Sequence, residues 1–129
     1  MMPAFEEREV CRARAEEVFK LLWDPTRFPE WWAGMDRVER DKAGEVTRYM
    51  SAWPDFAYPT RVAAAGDGCV TISCLLSDIV HEWSLAPHPG GCVVSVRVAL
   101  PETEAERLDA QRAEVSASLA RLVALAEEQ

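Results

Sequence analysis

Nowhere does this 129-residue chain approach the roughly 18 consecutive apolar residues of a membrane-spanning helix. Its first ten residues, MMPAFEEREV, lack the basic and apolar regions of a secretion signal. Basic side chains are scarce: 14 Lys and Arg stand against 22 Asp and Glu, for a net charge of -8. That balance opposes binding to nucleic-acid backbones or anionic lipid surfaces. No phosphate-cradling loop of the Gly-x-Gly-x-x-Gly or Walker type occurs, and no Gly-x-Ser-x-Gly elbow. The two histidines, His81 and His88, do not combine with Cys11, Cys69, Cys74 or Cys92 at a metal-ligand spacing. No Cys-x-x-Cys pair is present, three cysteines sit in apolar strand-like runs, and all four are expected to be free thiols. The expectation is a cytoplasmic protein with no metal, cofactor, nucleic-acid partner or membrane insertion, either a monomer or a homodimer.

What is present is ample apolar material: 49% hydrophobic residues beside 28% charged, enough for one packed core and one domain over residues 1–129. Residues 4–11 read as an exposed edge strand. From Ala15, the spacing of Val18, Phe19 and Leu22 gives one helical face, with Glu16 and Glu17 in the first turn where the helix dipole favours anions. Pro25 and Pro29 limit residues 25–33 to a brief turn of helix. Strands are expected at 36–40, 45–52, 58–65, 69–77, 79–86 and 92–100. Turns at Lys42–Gly44, Gly66-Asp67-Gly68 and Pro87–Gly91 separate several of them, short enough to favour an antiparallel meander.

Alternation assigns the faces. Val70, Ile72, Cys74 and Leu76 share one side, as do Ile79, His81, Trp83 and Leu85, and then Cys92, Val94, Val96, Val98 and Leu100. Glu82, Ser95 and Arg97 point the other way. A closing helix is expected from Glu102 to about Glu128, with Thr103 and Glu106 as a capping box. Leu108, Val115, Leu119, Leu122, Val123 and Ala126 form its apolar stripe, with Arg107, Glu114, Ser118 and Arg121 off it; Gln111 or Arg112 interrupts any coiled-coil heptad.

Strand, two short helices, six strands, long helix: this order resembles the helix-grip fold of the SRPBCC superfamily. That superfamily holds START domains, Bet v 1-like plant allergens and bacterial polyketide cyclase/dehydrase-like proteins. The resemblance rests on Arg14-Ala15-Glu16-Glu17-Val18-Phe19, Asp24-Pro25, Phe28-Pro29 and Trp31-Trp32, with Arg14 where proline is usual, and on residues 81–98 as the penultimate hairpin. It implies an α+β fold: a curved seven-stranded antiparallel sheet wrapped around a long C-terminal helix, with two short helices after the first strand. It also implies an internal cavity for a hydrophobic or aromatic small molecule, lipid- or polyketide-like. Members include carriers, sensors, co-chaperones and enzymes, so the fold alone names no reaction. The Trp-x-Ser-x-Arg arrangement of aromatase/cyclase members has no match here; the nearest stretch is Arg48-Tyr49-Met50-Ser51-Ala52-Trp53.

Candidate site residues follow from where a pocket would lie. Of five tryptophans, Trp23 is read as an anchor, while Trp31, Trp32 and Trp83 are read as either core or pocket lining. The aromatic, proline-bounded segment Tyr49–Pro59 reads as a gate at the cavity mouth or as a stiff connection over a sheet edge; it contributes Tyr49, Trp53, Phe56 and Tyr58. Leu119 is the candidate from the closing helix. His81, on the dry face, is either a hydrogen-bonded core residue or a neutral imidazole serving as acid, base or polar anchor, with Tyr49 or Tyr58 as partner. Arg48, if turned inward, would meet a ligand carboxylate, whereas Arg61 and Arg97 face solvent. Three functions compete: a small-molecule binder, a cyclase or dehydratase using His81 and a tyrosine, and a co-chaperone- or toxin-like interaction protein.

Overall fold

A computed structural model describes residues 2–66 and 68–128. Strand β1 (Ala4–Cys11) leads to helix α1 (Ala15–Trp23), a 3-10 turn (Pro25–Arg27) and helix α2 (Phe28–Trp31). Six strands follow: β2 (Met35–Arg40), β3 (Val46–Met50), β4 (Trp53–Ala64), β5 (Cys69–Cys74), β6 (Val80–His88) and β7 (Gly91–Ala99). A second 3-10 segment (Glu102–Arg107) enters helix α3 (Leu108–Glu127). The seven strands form one antiparallel sheet in the order β1-β7-β6-β5-β4-β3-β2. Strands β2 to β7 are thus a meander, and β1 closes beside β7 as one edge. This is the α+β helix-grip architecture, with α3 lying against β1, β7 and both short helices.

Local chemistry accounts for the elements. In α1, Val18, Leu21 and Leu22 are buried while Glu16 and Glu17 occupy the first turn. Asp24 then caps the 3-10 turn that follows, accepting from the Thr26 amide (3.0 Å) and hydroxyl (2.7 Å). The core holds Val94, Val96, Val98 and Leu100 from the β7 run, with Trp31, Trp83 and Leu122, all essentially without solvent contact. At the far end of α3, Glu127 accepts from the Arg12 amide (2.8 Å), tying the last helix to the end of β1. All four cysteines are free thiols.

Several expected boundaries shift. The long Tyr49–Pro59 connection is instead a hairpin whose two-residue turn is Ser51-Ala52, since Met50 pairs with Trp53. The next pair is Arg48 with Tyr58, so four residues (54–57) stand opposite Tyr49 alone. Pro54 has no amide proton for the ladder, and the bulge absorbs it. Likewise β6 continues to His88, leaving Pro89-Gly90 as the turn, with Gly90 at φ 83. β5 stops at Cys74 rather than 77: the Asp78 amide bonds back to the Cys74 carbonyl, alternation ends, and Leu76 is exposed rather than buried. Residues 102–107 are 3-10 rather than α, and no side chain caps the segment, so the Thr103–Glu106 capping box does not form. Ser118 belongs to the buried face of α3, not off it. Of the Gly66-Asp67-Gly68 turn, Asp67 lies outside the described residues; Gly66 has φ 69.

Candidate functional site

The concave side of the sheet leaves a cavity of about 370 Å³ between β3–β6 and the first turns of α3. A wider recess of about 730 Å³ lies beyond the end of α1, between Trp23 and the β2–β3 turn. Size favours the wider recess, but its charged groups, Arg40, Glu45 and Arg61, are exposed. Chemistry favours the smaller cavity, where half-buried and buried polar groups converge on an aromatic wall.

That wall begins with Trp32, which follows α2 and is held by the hydrogen bond its amide donates to the Phe28 carbonyl (2.8 Å). Its ring stacks on His81, centroids 5.3 Å apart and planes at 28°. Its indole Nε1–H donates to Glu114 Oε2 at 3.2 Å. His81 faces inward because β6 alternates buried His81 and Trp83 with exposed Glu82 and Ser84. Its Nε2 lies 3.3 Å from Gln111 Oε1; with that carbonyl oxygen accepting, Nε2 carries the proton. Arg48, between buried Val46 and Met50 on β3, turns into the same space. Its guanidinium carbon stands 5.0 Å from the ring centres of both Trp32 and Tyr58. Met50, Ile72 and Ile79 supply apolar floor, and Trp53 lies at the mouth, 66% exposed.

Burial sets the protonation states. It pushes the His81 pKa down to about 4, with the Arg48 charge adding to the effect against the Gln111 bond, so the ring is neutral at physiological pH. Burial raises Glu114, against the Trp32 hydrogen bond and the charges of Arg48 and Arg107. Burial also raises the Cys74 thiol, but hydrogen bonds from Ser77 and the Leu76 amide, with the Arg48 charge, outweigh it and leave the thiol lowered. The cavity therefore offers the Arg48 guanidinium, with Arg107 also on its lining, one neutral imidazole and one carboxyl displaced toward its neutral form. These groups suit polar anchoring. A ring with so low a pKa is a weak proton acceptor.

Of the candidates read from the sequence, Trp32, Trp53, Tyr58 and His81 line this cavity. The other candidates lie elsewhere. Trp31 is fully buried, donates Nε1–H to the Leu21 carbonyl (2.9 Å) and meets Trp83 edge-on at 5.3 Å. Trp83 is equally buried, its Nε1 without a hydrogen-bond partner among the described residues. Leu119 is core. Phe56 is exposed against Tyr58, with ring centres 4.8 Å apart. Tyr49 faces the opposite side of the sheet, where its hydroxyl donates to Glu39 (3.3 Å) and Arg37 covers its ring. It does not meet His81. Gln111, Glu114 and Cys74 were not singled out for the site from the sequence. The available signal was their spacing: Gln111, Glu114 and Ser118 fall on one helical face.

Among the described residues there is no cluster of His, Cys, Asp and Glu able to hold a metal ion. No described helix is long and apolar enough to cross a membrane. No curated protein matches the sequence. Solved structures share the fold at low identity. The KanY protein aligns over 98% of this chain and 99% of its own at 17% identity, TM-score 0.80. Protein CV1439 from Chromobacterium violaceum aligns over 96% of both chains at 20% identity, TM-score 0.73. The di-domain ARO/CYC StfQ from the steffimycin biosynthetic pathway aligns over 99% of this chain but 51% of its own, at 15% identity, TM-score 0.74. One family model matches residues 2–127, and by that match the chain belongs to the family described as polyketide cyclase / dehydrase and lipid transport.

Proposed function

We propose that the cavity between sheet and C-terminal helix binds a hydrophobic or aromatic small molecule, lipid- or polyketide-like. The observation that carries this reading is the aromatic wall of Trp32 and Tyr58 around about 370 Å³, with a few polar groups at one side. Such a volume is of the size that encloses a drug-sized ligand, and flat rings give wide contact at little entropic cost. Family membership supports a ligand-binding or cyclase-type role. Native mass spectrometry of freshly purified protein, with organic extraction of any retained mass, tests the reading. A discrete apolar molecule released on denaturation is the expected result; an empty protein that also takes up no aromatic probe at millimolar concentration contradicts it.

A cyclase- or dehydratase-type reaction on the bound molecule is the second reading, favoured by the raised Glu114 carboxyl, which is hydrogen-bonded to the indole that stacks on neutral His81. Replacing His81 by Phe then abolishes turnover and leaves ligand affinity intact. Retained turnover removes His81 from any mechanism.

A further inference from the structure

We infer that the ligand carries an acidic group, a carboxylate on an aromatic body, and that Arg48 is the residue that pairs it. This rests on the binding reading and narrows it to a substrate class.

Arg48 is a cation withdrawn from the surface. Arg8, Arg27, Arg37, Arg107 and Arg112 each lie within 4.0 Å of a carboxylate. Arg12, Arg14, Arg40, Arg61, Arg97 and Arg121, for which no ion pair is seen among the described residues, are exposed. Arg48, half-buried, has no such partner among the described residues. Its side chain is nevertheless held in place. Nε donates to the Thr60 hydroxyl at 3.2 Å, and that hydroxyl in turn donates to the Tyr58 carbonyl at 2.9 Å. Trp32 and Tyr58 flank the guanidinium. Of the Nη groups, one has the Met50 thioether at 3.6 Å, a weak acceptor. The end of the fork is thus left for a group inside the cavity.

The one carboxyl lining that cavity does not fill the role. Glu114 lies beyond ion-pair distance of Arg48, accepts from Trp32, and is displaced toward its neutral form. His81 is neutral, and Arg107, also on the lining, already pairs with Glu104. In a chain of net charge -8, the cavity is therefore set for an anion. A guanidinium removed from water without a partner is unfavourable, and a carboxylate meets it with two parallel charge-assisted hydrogen bonds. The flanking rings place the rest of the ligand beside Trp32 and Tyr58.

The test compares two probes of one shape, 2-naphthoate and 2-naphthamide, by isothermal titration at pH 7.5. The naphthoate is expected to bind about tenfold or more tighter than the amide. That ratio is expected to fall to near one in Arg48→Met and to be partly kept in Arg48→Lys, with folding of each checked by circular dichroism. The wild-type ratio is decisive even if a variant does not fold. Equal affinities for the two probes overturn the inference and leave the cavity reading standing. Binding of neither probe overturns both. A naphthoate preference that survives in folded Arg48→Met assigns the anion to another group and overturns the role of Arg48.

Discussion

The Trp32 indole N–H reaches the Glu114 carboxylate at 3.2 Å, joining the residue after α2 to the second turn of α3 across 82 positions. Beside it, the Ala33 amide donates to Ser118 Oγ at 2.9 Å, and Ser118 donates to the Glu114 carbonyl at 2.7 Å. This short polar seam ties the end of α2 to the part of α3 that lines the cavity.

Burial beside this seam makes the Glu114 charge costly at neutral pH, against the Trp32 hydrogen bond that favours it. Burial raises its pKa in the folded protein, so the folded state binds the proton more tightly than the unfolded chain. Stability from this group therefore falls as pH rises from below 4.5 through the folded pKa. Glu114→Gln keeps an acceptor for Trp32 without the charge. Its urea midpoint is expected above wild type at pH 7, with the gap closing below about pH 4.5. A midpoint below wild type at pH 7 contradicts this.

His81 acts in the opposite sense. Its pKa falls from 6.5 to about 4 on folding, so the unfolded chain binds the proton more tightly and stability rises with pH across that window. On the order of 3 kcal/mol is present above pH 6.5 and lost by about pH 4. Melting temperatures of His81→Phe between pH 4 and 7 are expected to be flatter than those of wild type. Measuring Glu114→Gln, His81→Phe and the double variant over the same range separates the two opposing slopes.

The two tyrosines separate the cavity from the outer face. Tyr58→Phe and Tyr58→Ala act on the wall that Arg48 covers, and the alanine variant is expected to weaken binding of an aromatic probe about tenfold. Tyr49→Ala removes contacts with Glu39 and Arg37 on the other face and is expected to leave that affinity unchanged. Titration of both alanine variants with 2-naphthamide checks the contrast; equal losses contradict it.

Gly91 opens β7 directly against the end of β1. A Cβ there would overlap the Cys11 carbonyl oxygen and sit 2.9 Å from the Arg12 Cα, both backbone atoms that cannot swing aside. Gly91→Ala is expected to lower stability by about 2 kcal/mol or more, read as a lower urea midpoint. Gly44→Ala, with nothing within 4 Å but φ 85, separates the cost of positive φ from the cost of a clash.

Much of the fold was legible because the sheet is wet on one side. Alternation in Val70–Ile72, His81–Trp83 and Val94–Val98 assigns a face that packing then confirms. The hairpin at 50–53 was less legible, because a bulge lets strand pairing continue past Pro54 and hides the register. The site was harder still. The first half of α3 covers a cavity rather than a core, so its inner face carries Gln111, Glu114 and Ser118, which apolar periodicity places outside. Arg48 follows the same logic: its inward parity with Val46 and Met50 is plain, but a charge on a buried face reads as an exception until the aromatic rings around it are seen.

The most direct test of a small-molecule site on the concave side is backbone amide NMR mapping of 2-naphthamide binding to the wild-type protein. The expected result is a saturable set of shifts at Arg48, Ile72, His81 and Gln111, with Trp23, Thr47 and Leu75 unmoved. Shifts confined to that second group, in the wider recess, or no saturable shifts at all would contradict a binding site between sheet and helix.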